Sequence, residues 1–168
     1  MKRLIPLVIA AIFMITAAHA QDNWITFRGD NRISVKFPSQ PRELTPGSFI
    51  SAAPDSSIVY VFTIVDFVKV ANVDSVALAP VKATPEFASQ LKVGMQQGLP
   101  GVTMEDFKIG SWRGFTSYTS TGVDSQMKKY DMFMFIIGNK LYSISTIIGA
   151  GASLEGKDRF VKSIILSN

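Results

Sequence analysis

The chain has 168 residues, 17 Lys and Arg against 13 Asp and Glu, no cysteine and one histidine. That histidine, His19, falls in a predicted N-terminal leader, so the exported chain would hold neither imidazole nor thiol. This excludes disulfides, thiol nucleophiles, Cys/His zinc sites, His-ligated haem and imidazole acid–base chemistry. Removing the leader leaves 148 residues, the size of one domain, with fifteen bases against thirteen acids. So mild an excess, without a long basic run, does not point to nucleic acid.

The leader itself is read from three parts. Lys2-Arg3 give a positive start, Leu4 to Thr16 are almost unbroken apolar, and Ala18-His19-Ala20 is a small-x-small cleavage box before Gln21. A membrane-spanning helix needs roughly 20 apolar residues, and this run is shorter. No cysteine follows to carry a lipoprotein anchor. The expectation is a signal peptide over 1–20, cleaved after Ala20, and a single periplasmic or secreted domain over 21–168 with no membrane span.

Trp24 to Arg28 reads as a short strand ended by the turn cluster Gly29-Asp30-Asn31. Ile33, Val35 and Phe37 alternate with Ser34 and Lys36, the pattern of a half-buried strand, and Pro38 and Pro41 end it. Residues 43–56 carry Pro46, Gly47 and Pro54 and read as loop with one weak strand. Ile58 to Phe67 is apolar, β-branched and aromatic, as in a central strand covered on both faces.

Thr84-Pro85-Glu86 is a helix start: an N-cap, a proline at the first position, and an acid facing the dipole. Phe87, Leu91 and Met95 form its apolar stripe, and Gly98 and Pro100-Gly101 stop it. A meander follows over about 102–110, 112–121, 129–137 and 140–148, its last two strands joined through Gly138-Asn139. Ser153 then caps a final helix with Leu154, Phe160, Val161, Ile164 and Ile165 as its apolar residues and Asp158–Lys162 as an i,i+4 pair. Strands grouped in this way predict α+β: a single antiparallel sheet of about six or seven strands packed with two helices.

This order of features resembles the PsbP-like superfamily of exported bacterial proteins. The matching stretches are Trp24 followed by Ile33-Ser34-Val35-Lys36-Phe37-Pro38-Ser39-Gln40-Pro41, the hairpin end Asn139-Lys140-Leu141-Tyr142-Ser143-Ile144, and the closing Arg159-Phe160-Val161-Lys162-Ser163. The resemblance covers most of the chain after the leader. It implies an αβα sandwich, also seen in a Ran-binding nuclear transport factor and an extrinsic photosystem II subunit, in proteins that bind or assemble rather than catalyse. Histidine-dependent contacts of the photosystem branch do not transfer to a chain without histidine.

The search for chemistry returns little. Ser125 and Lys128 have the spacing of a Ser-x-x-Lys pair, but the stretch Gly122 to Lys129 reads as a polar hairpin loop. Glu105 and Asp106 are adjacent and face opposite sides of a strand, and nothing in the sequence places Asp66, Asp124 or Asp131 beside a partner. Asp22-Asn23 and Asp30-Asn31 offer oxygen ligands outside any calcium-loop pattern, and Asp30-Asn31 reads as turn chemistry. Met132 and Met134 share a strand face with Tyr130 and Ile136, which reads as core rather than a soft-metal site. Gly149-Ala150-Gly151 precedes a helix but lacks the lysine and spacing of a phosphate loop. No catalytic, cofactor or metal residue is therefore expected.

A partner-binding edge is expected at Trp112, Arg113, Lys128, Lys129 and Lys140, where aromatic and basic residues fall at neighbouring turns. The leading expectation is a non-enzymatic exported domain that binds a protein or envelope component. A small-molecule or lipid carrier is the alternative, and a hydrolase using carboxylates or lysine the third.

Overall fold

The computed structural model describes residues 24–167, so the expected leader, with Ala18 and Ala20, lies outside the described residues. The chain runs β1 (Ile25–Arg28), β2 (Ile33–Phe37), β3 (Arg42–Thr45), β4 (Ser48–Ala52) and β5 (Ile58–Asp66). Three helices follow: α1 (Phe67–Ala71), α2 (Ser75–Leu78) and α3 (Pro85–Gly98). The remainder is β6 (Val102–Met104), β7 (Lys108–Trp112), β8 (Phe115–Asp124), β9 (Lys129–Ile137), β10 (Lys140–Ile148), α4 (Glu155–Lys162) and β11 (Ile165–Leu166).

The α+β class is as expected, but the single sheet of six or seven strands is two sheets. Eight strands form one, in the order β3-β4-β5-β10-β9-β8-β6 with β7 also on β8, and β1-β2-β11 form the other. All the pairings are antiparallel. Two expectations fail to produce this. Residues 43–56 are not a loop with one weak strand but the hairpin β3–β4, turned at Pro46-Gly47. Every residue of β3 is exposed, so this edge strand shows no core-facing alternation to read. At the C-terminus, Ile165 does not continue the last helix. The Ser163 hydroxyl donates to the Phe160 carbonyl (2.7 Å) and accepts from the Lys36 amide (2.9 Å), ending α4 and directing Ile165 onto β2.

Four helices appear among the described residues where two were expected. Both additional ones, α1 and α2, span a single turn or slightly more and owe their existence to caps. Asp66 accepts from the Val68 amide, and Asp74 from the Val76 and Ala77 amides. Five- and four-residue helices carry no readable periodicity. The α3 helix has the expected cap, Thr84, and the expected proline at its start. The first strand of the meander splits: Glu105 to Phe107 interrupt it, and β6 and β7 both pair with β8.

The large sheet is covered on both faces. One face packs Phe62, Phe135, Tyr142 and Ile144 against Ile33, Val35 and Phe37 of the small sheet and Phe160 of α4, and all eight are at most 1% exposed. The other packs Met132, Met134, Ile136 and Tyr118 against Leu78 and Ala88, with Phe87, Leu91 and Met95 of the α3 stripe beside them. Met132 and Met134 are thus core, and β9 feeds both faces as its sequence predicts. Gly138, at φ 61°, makes the expected β9–β10 turn.

Candidate functional site

Consecutive turns of a meander lie at opposite ends of its strands. The β7–β8 turn (Arg113-Gly114), the β9–β10 turn (Gly138-Asn139) and the β1–β2 turn (29–32) share one end of the sandwich. The β8–β9 turn lies at the other. The expected edge is therefore divided: Trp112, Arg113 and Lys140 gather at the first end, whereas Lys128 and Lys129 sit at the second. Along β9 from Lys129 to Ile137, the partner of Lys140, there are eight steps, about 27 Å at the usual strand rise.

Four backbone and side-chain donors converge on Asp30 at the first end. Its Oδ1 accepts from the amides of Arg32 (2.8 Å) and Ile33 (3.2 Å), the expected turn chemistry. Its Oδ2 accepts from Lys140 Nζ (2.8 Å) and the Tyr142 hydroxyl (2.9 Å), two contacts that span 110 and 112 residues of chain. Burial pushes the Asp30 pKa up, but the Lys140, Arg32 and Tyr142 hydrogen bonds outweigh it and hold the carboxyl below its ordinary value. Tyr142 is wholly buried; desolvation and the neighbouring Asp30 charge push its pKa well above the usual phenol value. The cluster pins the small sheet to the end of the large one. Lys140, proposed above as part of a surface, serves mainly as the base of this pin.

Trp112 is half-buried, its ring 4.6 Å from Phe135 and 5.7 Å from Phe133, and Arg113 stacks over it at 4.6 Å. Arg113 and Gly114 both hold positive φ, 50° and 83°, the conformation of a tight primed turn. Phe115 and Ile137 line a cavity of about 460 Å³ with Arg32 and Leu166. Arg32 at this rim was not recognised from the sequence, because only the fold brings the 29–32 turn beside the hairpins. Arg28 lies next to it, its Nε donating to the Asp30 carbonyl (3.0 Å).

Four of the five carboxylates considered for catalysis, all but Glu105, are engaged elsewhere. Asp66 caps α1 and accepts from Asn139 (2.6 Å). Asp124 closes the β8–β9 turn through the amides of Gln126 (2.9 Å) and Lys128 (3.0 Å), so the hairpin loop is 125–128, shorter than the expected 122–129, whose ends belong to β8 and β9. Asp131 pairs with Lys157 of α4 at 2.5 Å, and exposed Asp106 pairs with Lys92 at 2.8 Å. Among the described residues no three His, Cys, Asp or Glu side chains are grouped to hold a metal ion.

The second end holds an open groove of about 720 Å³ between the β4–β5 turn and the 149–154 loop. Trp24, Tyr60, Asp55, Glu155 and Arg159 line it, and Ala150 and Gly151, from the stretch expected to be a plain strand-to-helix turn, contribute part of its wall. Arg159 stacks over Trp24 at 4.6 Å.

No protein-family model matches the chain, and no curated protein matches it. Among solved structures, the solution structure of cyanobacterial PsbP (CyanoP) from Synechocystis sp. PCC 6803 aligns with a TM-score of 0.54 at 10% identity. The alignment covers 86% of this chain and 91% of that one. A crystal structure of a protein from Bacteroides thetaiotaomicron VPI-5482 at 1.50 Å aligns over 86% of this chain at 13% identity and a TM-score of 0.48. The chain spans 48%, about half, of that longer protein. The fold is PsbP-like, which agrees with the resemblance carried by the sequence motifs, and identities this low speak to the fold alone.

Proposed function

We propose that this is a non-enzymatic binding domain whose docking face is the turn end carrying Arg32, Trp112 and Arg113, and that it engages an acidic protein surface. The observation that supports this reading is the half-buried Trp112 with the Arg113 guanidinium on its face, held on the Phe133–Phe135 pair beside the Arg32 rim. A rigid aromatic with a stacked guanidinium is the residue pair enriched at binding hot spots. Arg28 and Arg32 add positive charge at the same end, where Asp30 is neutralised by Lys140.

Export through the predicted leader places such a domain in the envelope or outside the cell. A photo-crosslinking residue at the exposed position Asn31 is expected to give one defined adduct in intact cells. Charge reversals R32E and R113E remove it, and the same crosslinker at exposed Gln97 on α3 does not produce it. An adduct indifferent to both reversals, or a hydrolytic activity abolished by changing one Asp, Glu or Lys, would overturn the reading.

A further inference from the structure

At the opposite end, the groove beside α4 contains polar groups that neither the core nor the turns require. Tyr60 is 2% exposed, and its ring is fully used, edge-on to Trp24 (5.1 Å) and to Phe160 (5.2 Å). Its hydroxyl has no hydrogen-bond partner among the described residues, although the side chain reaches the groove. Phenylalanine would make the same ring contacts without burying a polar atom. The first turn of α4 crosses this hydroxyl at Gly156, where any side chain would collide with the oxygen. Glycine inside a helix is unfavourable in its own right. Two locally costly residues thus meet at one point, where the glycine lets α4 pack against a hydroxyl at the groove wall. Beside Tyr60 across the β5–β10 pairing, Thr146 is 2% exposed and its Oγ1 is buried without a partner.

Charges around the groove are mixed. Asp55 and Glu155 stand on its walls with Arg159, so neither an anion nor a cation meets a field of one sign. Ser57 engages only Oδ1 of Asp55, through its amide (3.0 Å) and hydroxyl (2.7 Å). Burial, reinforced by the Asp55 charge, pushes the Tyr60 pKa up, so the hydroxyl stays protonated and both donates and accepts. The volume, about 720 Å³, falls within the usual range for small-molecule sites.

We propose that this groove binds a neutral polyol of the sugar class, whose hydroxyls pair with the Tyr60 hydroxyl and the carboxylates of Asp55 and Glu155 beside the Trp24–Arg159 stack. This site is separate from the docking face at the other end, and neither proposal depends on the other.

Because the chain has two tryptophans, Trp112→Phe leaves Trp24 as the sole tryptophan and a direct reporter of the groove. Glucose, N-acetylglucosamine and inorganic phosphate serve as probes. At least one sugar is expected to change the Trp24 emission saturably and to raise the melting temperature of the unmodified protein, and phosphate is expected to do neither. Tyr60→Phe is expected to melt no lower than the parent and to bind the responding sugar roughly tenfold more weakly, the loss of one hydrogen bond. Gly156→Ala should weaken binding further by crowding the hydroxyl. The proposal is overturned by no response to either sugar in both readouts, by a response to phosphate alone, or by unchanged sugar affinity in Tyr60→Phe.

Discussion

Asp30 is the residue on which the geometry of the turn end depends, and its replacement by alanine tests that role quantitatively. The side chain is 16% exposed and that of Lys140 is 29% exposed. Partial solvation reduces what the ion pair contributes, to about 1 kcal/mol. The turn loses an acceptor for two backbone amides, at 2.8 and 3.2 Å, about 1 kcal/mol more by comparison with a helix cap. Tyr142, 0% exposed, is left with an orphan hydroxyl at a cost of about 1–2 kcal/mol. Asp30→Ala should therefore destabilise the domain by about 3 kcal/mol, read as a lower urea midpoint at unchanged slope by tryptophan fluorescence. Asp30→Asn keeps the turn acceptor and should cost about 1 kcal/mol. The decisive measurement is a double-mutant cycle. In the Asp30→Ala background, Tyr142→Phe removes the orphan hydroxyl and should restore about 1 kcal/mol. Because the folded carboxyl has a lowered pKa, its contribution is present above the ordinary value of 3.8 and is lost as the pH falls through the lower folded value. The gap between the parent and Asp30→Asn should close over that acidic range. An Asp30→Ala cost below about 1 kcal/mol, or no relief from Tyr142→Phe, would refute the idea that one carboxylate holds the two sheets together here.

Two further outcomes follow from buried hydroxyls. Thr146→Val replaces an unpartnered buried hydroxyl by a methyl of the same shape and should raise stability by about 1 kcal/mol in urea titrations; an equal loss would show that the hydroxyl has a partner. All four tyrosines have raised pKa values, chiefly through desolvation, so folding disfavours their ionisation. Their contribution is present below the ordinary value of 10.0 and lost as the pH rises above it. Tyrosinate absorbance should accordingly appear together with unfolding in an alkaline titration, and smooth titration of four tyrosines in a folded protein would contradict this.

The elements legible in the sequence are those whose signal is local. The β2 alternation, the Thr84-Pro85 helix start, the two-faced β9 and the Gly138-Asn139 hairpin are each written in fewer than a dozen consecutive residues, and each is present. The β3 strand, exposed along its length, and the capped single turns α1 and α2 have too little burial to leave a hydrophobic period. At the candidate docking face the errors come from distance in the chain. Asp30 is visible as a turn former, but its partners on β10 lie more than a hundred residues away. Grouping Lys128 and Lys129 with Trp112 overlooks a constraint that strand length alone supplies. Ten residues of β8 separate the two turns and put them at opposite ends.

The two ends of the sandwich also differ in how the small sheet and α4 are attached, and this bears on what each end can do. At the turn end the attachment is directional: one carboxylate receives four donors at 2.8–3.2 Å, two of them on β10. Such a joint suits a face that presents Arg32, Trp112 and Arg113 in fixed relation, since a preorganised surface loses less entropy when it docks. At the groove end α4 rests on ring contacts of Phe160 with Trp24, Phe37 and Tyr60, and on the Lys157–Asp131 pair. Ring packing is far less angularly demanding than charge-assisted hydrogen bonding. The first turn of α4 has no side-chain cap at Leu154; its Glu155 amide donates a 3.2 Å hydrogen bond to the neighbouring Ser153 hydroxyl, Lys157 ties it to Asp131, and its N-terminal end, which crosses Tyr60 at a glycine, keeps freedom to adjust around an occupant. Filling the Gly156 position with alanine removes that freedom and also displaces the Tyr60 hydroxyl. Its effect should fall on the groove and leave Asn31 crosslinking at the turn end unchanged, because no hydrogen bond of the Asp30 cluster involves α4.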